Sequence, residues 1–195
     1  WRTSGLKGTG SEDIEADQVF VPERRSVLYD DISRLDPRDL QGAGIHREPL
    51  YRIPMPSYFA FCLPGALMGS AQGALDHSIE RLKSRKGLFG KSVGEEQTVQ
   101  IRLGEVSAKI DAARYLVRNT LDEMMFLAEQ WQIPSLLQRA TWSRNCGYSA
   151  VLSSEAVSSL FLHGGAHGIF DDDPVQRHFR DVTAGSNHIG TDFDR

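Results

Sequence analysis

Apolar positions along this chain change their period twice. The opening stretch, "GLKGTGSEDIEADQVFVPERR", places small turn residues before an alternation through Ile14 and Ala16. An apolar run, Val19-Phe20-Val21, then stops at Pro22. This pattern predicts turn, strand, turn, strand. Two short strands alone are marginal in water, so the stretch calls for a sheet to join, and no other part of the chain is strand-rich. We expect residues 1–30 to be the last strands of a β-domain whose larger part lies outside this sequence. Residues 31–56 mix charges with Pro37, a Gly42-Ala43-Gly44 break, Pro49, Pro54 and Pro56. They read as connector, with a short helix possible around Asp36–Leu40.

From Ser57 onward the period is helical. Ser57 is a plausible N-cap for a first helix that ends at Gly87, with Pro64 near its first turns or kinking it. Gly65, Gly69 and Gly73 recur every four residues and give that helix one smooth face. Tolerated small residues explain the spacing as well as close packing does. A second helix is predicted from about Glu95 to Gln130. Its stripe is Val99, Leu103, Val106, Ile110, Ala113, Val117 and Leu121, with Glu105 and Lys109 paired on another face. Ile133-Pro134-Ser135 makes a turn into a third helix that runs to about Leu162 and stops at "HGGAHG". Pro174 opens a fourth, with Asp171, Asp172 and Asp173 at its N-terminus. Four helices joined by short loops make an up-and-down bundle over residues 57–195. The fold class expected is mainly α.

Composition narrows the partners. Hydrophobic residues are 40% of the chain, charged residues 25%, and the net charge is −4. That is ordinary for a soluble globular protein and leaves no basic footprint for nucleic acid. No apolar run is long enough to span a bilayer. Cys62 and Cys146 have no metal-type spacing and read as two buried thiols, which fits a cytoplasmic location.

Candidate chemistry is sparse. Hydrolase elbows, phosphate-binding Walker loops, His-Glu-x-x-His and Cys-x-x-Cys are absent. His163 and His167 sit four apart, but Gly164-Gly165 between them should end the helix and spoil a metal site. "LHGGAHG" offers backbone N–H groups that could hold a phosphate, or simply a helix C-cap. "GLKGTGS" could admit a flat ligand beside Thr9 and Ser11, or build a hairpin. His188 stands beyond the last helix, where histidines are more often solvated than catalytic.

Together, "W-x3-GLKGTGS-x-D-x4-D-x-VFVPE", "LFGK-x5-Q-x2-QIRLGEVSAKIDAAR" and "HGGAHG-x6-PVQRHFRD" resemble the acyl-CoA dehydrogenase fold, in the family's order. The resemblance covers almost all of this chain and about the C-terminal half of the family's full chain. Many dehydrogenases of this fold carry a catalytic glutamate in a Glu-Gly-Thr segment. Here that segment reads "HIGTD", with Ile189 in the glutamate's place, and an alkyl group cannot abstract a proton. "RHFRDVTAGSNH", "PLYRIPM" and "IDAAR" resemble instead the branch of two-component flavin-dependent monooxygenases.

That resemblance implies a specific enzyme. It would be the oxygenase component, hydroxylating a phenolic or other electron-rich ring through a flavin C4a-hydroperoxide. It would take reduced FMN or FAD, FMN being favoured, from a separate NAD(P)H-dependent flavin reductase, with molecular oxygen as co-substrate. It implies His188 as the catalytic residue, Trp1 against the flavin ring, and Thr9 and Ser11 at its edge. Gly164, Gly165 and Ala166 would approach the flavin phosphate across a subunit boundary in a homotetramer. Arg85 joins them by analogy, although Lys86 is the residue three before Phe89. The alternatives are an acyl-CoA dehydrogenase with its base elsewhere, an N-oxygenase of an amine, and a helical assembly module with no working site.

Overall fold

The computed structural model describes residues 1–87 and 89–193, and of His167 the backbone alone. Four long helices dominate: α1 (Pro64–Ser84), α2 (Gln97–Glu129), α3 (Leu136–Leu162) and α4 (Pro174–Ser186). α1 and α3 each pack against all three other helices, so α2 and α4 lie diagonally opposite across the bundle.

Three of the four helices start where local chemistry dictates. Pro64 lacks the N–H that a continuous helix from Ser57 would need at that point. Ser57 is therefore not an N-cap but part of a separate short helix, Met55–Phe59, followed by a 3-10 turn at Ala60–Cys62. Pro64 instead takes the first position of α1, where no donor is required. Ser135 closes a reciprocal cap on α3. Its hydroxyl accepts from the Gln138 N–H at 3.2 Å, and the Gln138 side-chain oxygen accepts from the Ser135 N–H at 2.9 Å. Of the three aspartates ahead of α4, Asp173 is the cap, accepting from the Val175 and Gln176 amides at 2.8 and 3.3 Å. The Gly42-Ala43-Gly44 stretch, expected as a break, lies inside a short helix, Gln41–Ile45.

The main core is lined with alanine. Ala71 and Ala74 of α1 face Ala156 of α3, with Leu75, Val106, Ile110, Val157, Leu160, Val175 and Val182 around them. Small side chains let these helices approach closely, and each buried Val, Leu or Ile contributes roughly 1.5–3 kcal/mol. The stripe of α2 follows the expected positions through Val117, then drifts. Thr120 and Met124 are buried, whereas Leu121 is 38% exposed. Polar groups buried between α2 and α3 are paired: the Asn145 amide donates to the Thr120 hydroxyl at 2.9 Å, which donates to the Leu116 carbonyl at 2.8 Å. Lys109 pairs with Glu105, as the spacing predicts, and also with Glu155 of α3.

The expected strands of residues 1–30 do not form a sheet here. Residues 10–17 are irregular chain, and Ile14 and Phe20 are 95% and 87% exposed. The alternating pattern is present, but among the described residues no second strand offers it a ladder. Among the described residues the β pairing is confined to a bridge between Lys86 and Ser92. Cys146 is buried as expected, whereas Cys62 is exposed. On the smooth face of α1, Gly73 alone is approached closely, by the His178 ring, while Gly65 and Gly69 face open space.

Replacing Ser135 with alanine removes the hydroxyl that accepts from the Gln138 N–H and leaves the bond from the Ser135 backbone N–H in place. Chemical denaturation should register a loss of about 1 kcal/mol with the helix content retained.

Candidate active site

The first nine residues are fastened to the last helix. The Leu6 N–H donates to the Asp181 carboxylate at 2.7 Å across 175 positions. Gly5 lies against the backbone of α4, where a Cβ would overlap the Arg180 carbonyl. Leu6 itself is left-handed, with φ of 55°, and its carbonyl collects the Trp1 indole N–H and the Thr9 hydroxyl, both at 2.9 Å. This pins the Trp1 ring while leaving it 51% exposed. Thr9 and Ser11 follow on the same exposed loop.

Beyond α4 the chain turns back as a tied strap. The buried Thr191 hydroxyl donates to the Gly185 carbonyl at 2.9 Å, and the Cys146 thiol donates to the Gly190 carbonyl at 3.3 Å. Gly147 makes room for the Phe193 backbone, and Phe193 leans on Tyr148 with ring centroids 5.4 Å apart. Burial pushes the Cys146 thiol up to about 11, so it stays neutral at physiological pH. His188 rides on this strap with its ring exposed. Its Nδ1 accepts the Gly190 N–H at 3.0 Å. A neutral imidazole that accepts at Nδ1 carries its proton at Nε2, so His188 presents a donor outward. Ile189 beside it is 72% exposed.

Gly185 is where these parts meet. A Cβ there would press on the Leu67 side chain of α1 and would touch Leu6. Trp1, Thr9, Ser11 and His188 thus belong to one end of the molecule.

Arg85, Gly164, Gly165 and Ala166 form a second cluster. Arg85 donates to the Gly164 carbonyl at 3.1 Å. Gly165 is left-handed, with φ of 77°, and a Cβ on it would come within 2.8 Å of the Arg85 guanidinium. Ala166 opens a short 3-10 helix, Ala166–Ile169. The loss of the usual spacing before Phe89 therefore does not remove Arg85 from the turn. Sequence reading missed two further arginines here. Arg81 pairs with Asp173 at 2.7 Å, and Arg102 lines a 50 Å³ pocket with Arg81, Arg85 and His163. Their helical spacing behind the glycine turn carried no local signal. His163 Nδ1 is bonded to the Ser159 carbonyl at 2.7 Å, and the His167 side chain lies outside the described residues.

These two clusters do not meet within one chain. Asp173 and Asp181, their anchors on α4, are eight residues or about 12 Å apart along the helix axis. The donor sets nonetheless fit a flavin. The Arg85–Gly165 corner offers a fixed cation and a cradle that a Cβ would fill, as a phosphate needs. The exposed Trp1 face, held by its own hydrogen bond, suits a flat ring.

A third group links α1 to α4. His178 Nδ1 lies 2.9 Å from the Ser70 hydroxyl, and its ring lies 5.6 Å from that of His77. Burial, followed by Arg177 and His77, lowers its pKa from 6.5, against an opposing pull from Asp181. A depressed histidine pKa means that the unfolded chain binds the proton more readily. Stability is present above pH 6.5 and is lost as pH falls through the lowered value. Thermal melts between pH 7.5 and 5 should show this decline, and His178→Gln should flatten it.

Residues 61–193 match the model of the acyl-CoA dehydrogenase C-terminal domain, and the chain belongs to that family. Among its relatives is a flavin-dependent monooxygenase, oxygenase subunit HsaA, of Rhodococcus jostii (strain RHA1). It is 30% identical over 201 residues, covering all of this chain and 51% of that protein. The oxygenase component of p-hydroxyphenylacetate 3-hydroxylase from Acinetobacter baumannii is 28% identical over 196 residues, covering all of this chain and 46% of that protein. The crystal structure of 3-HSA hydroxylase from Rhodococcus sp. RHA1 superimposes with a TM-score of 0.87 at 25% identity, over all of this chain and 50% of that one. The chain spans about half the length of these proteins.

Proposed function

We propose that this protein acts as the oxygenase component of a two-component flavin-dependent monooxygenase that hydroxylates a phenolic or other electron-rich aromatic ring. The observation that carries the reading is the strap, where His188 directs an N–H outward and Ile189 stands where a dehydrogenase of this fold has its base. The names of the relatives support the class: a flavin-dependent monooxygenase subunit and an oxygenase component that acts on a phenol. An oxygenase component takes reduced flavin from a separate reductase, here one using NAD(P)H, with FMN favoured over FAD.

Reduced flavin, when bound, supplies the activation of dioxygen. This chain's residues bind, orient and shield. Trp1 would hold the ring system, with Thr9 and Ser11 at its edge. The Arg85–Gly164–Gly165 corner, with Ala166, would hold the phosphate end. Because the two clusters sit at separate ends of one chain, a complete site takes the corner from a second subunit. His188 Nε2 donates to the phenolic oxygen and favours its anionic form, which raises electron density on the ring. The Gly190 N–H fixes the imidazole in that orientation, so no reorganisation is needed when charge develops.

Two measurements test this. Hydroxylation by His188→Ala should fall by roughly 10²-fold, whereas His188→Gln, which keeps an amide donor near the Nε2 position, should recover about tenfold of that loss. Unchanged coupling of hydroxylation in His188→Ala removes the residue from the mechanism, and equal losses in both variants make it a proton acceptor instead. Arg85→Ala should weaken binding of phosphate-bearing flavin by about tenfold and leave riboflavin binding unchanged.

A further inference from the structure

A cavity of about 360 Å³ lies between the connector, the N-terminal half of α3 and the strap. It is separate from the Trp1 loop and from the Arg85 corner. Its volume falls within the range of small-molecule sites, which begins at about 300 Å³. The lining includes flat apolar groups, Phe61, Trp142 and two prolines. The Trp142 N–H is already given to Glu123 at 2.7 Å, so this residue adds a ring rather than a free donor.

Arg139 of α3 is the charged residue of the lining, and no carboxylate lines the cavity. Among the described residues Arg139 makes no ion pair, and its Nε is buried without an acceptor. A guanidinium is always charged, and a buried donor left unpaired is destabilising. Nothing in the cavity competes for it. Cys146, about two turns along α3 from Arg139, stays a neutral thiol and is committed to the Gly190 carbonyl. Ser57 and Ser143 add hydroxyls to the same lining. One planar cation, a few hydroxyls and flat apolar walls match a planar monoanion. A phosphate dianion would want more than one cation or a row of backbone N–H groups, whereas a carboxylate fits a single guanidinium fork.

We propose that this cavity binds a small aromatic ring bearing one carboxylate, gripped by Arg139. The occupant would also touch Gly190, whose N–H fixes the His188 ring. Occupancy should therefore steady the strap from the side opposite the exposed imidazole.

The test is a titration of the protein as its host makes it, without flavin or reductase. Benzoate is the probe, benzamide the neutral control and inorganic phosphate the rival anion, read by calorimetry and by quenching of tryptophan fluorescence. Benzoate should bind, with benzamide and phosphate much weaker. Arg139→Gln should weaken benzoate by at least about tenfold and leave benzamide unchanged. Arg139→Lys, which keeps the charge and most of the packing, should fall between them and decides the matter if the glutamine variant does not fold. Absence of benzoate binding in the parent, equal affinity in the Arg139 variants, or phosphate binding as tightly as benzoate would overturn the proposal.

Discussion

The hydrogen bond from the Leu6 amide to the Asp181 carboxylate joins the two ends of this chain, and the site geometry depends on it. An ionised acceptor makes it one of the stronger hydrogen bonds a backbone can form. It works only because Gly5 lets the two backbones come together and Leu6 accepts a left-handed conformation. Without this bond the Trp1 loop would have no fixed relation to the bundle, since residues 10–17 are exposed and Glu12 pairs back to the Trp1 amino group rather than to a helix. With it, the loop, Gly185 and the strap become neighbours. Asp173 plays the matching part at the other end of α4, capping the helix and pairing with Arg81. Both candidate clusters therefore hang from one 13-residue helix.

That helix can carry such a load because its inner face is apolar and its seat is shaped by small residues. Val175 and Val182 enter the alanine-lined core, while His178 settles over Gly73 and bonds Ser70. The long α2–α3 hairpin supplies a stable frame beside it. Its buried polar side chains, Thr120, Asn145, Ser149 and Ser153, all find partners within the hairpin. Paired groups of this kind add little net energy but avoid the penalty of burial without a bond.

Helical period carried most of the fold. The ends of α2, α3 and α4 were legible because Ser135, Asp173 and Pro174 act locally, through caps and a fixed φ. Ser57 misled because its capping chemistry is generic, and the missing N–H at Pro64 outweighed it. The opening strands were misread: the alternation is there, but a strand is a property of a pair, and among the described residues that stretch is irregular chain. The site was legible in part. The glycine turn and His188 stood out as residues, whereas Arg81, Arg102 and Arg139 did not. An arginine on a helix looks solvated until tertiary packing shows which carboxylates are absent around it.

A histidine beside a phenolic substrate can serve as a base or as a group that orients. The Gly190 N–H, bonded to the inner nitrogen, separates them. A base needs a free lone pair facing its substrate, and here the imidazole's lone pair at Nδ1 accepts the Gly190 N–H. What faces outward is an N–H, suited to an oxygen that carries or gains negative charge. Removing a carbon-bound proton from a thioester asks for the reverse arrangement, which a glutamate at position 189 would provide and an isoleucine does not. On the proposed reading, the backbone amide two residues away thus matters as much as the histidine. It sets which end of the imidazole meets the ligand, and so which of the two chemistries of this fold the strap can serve.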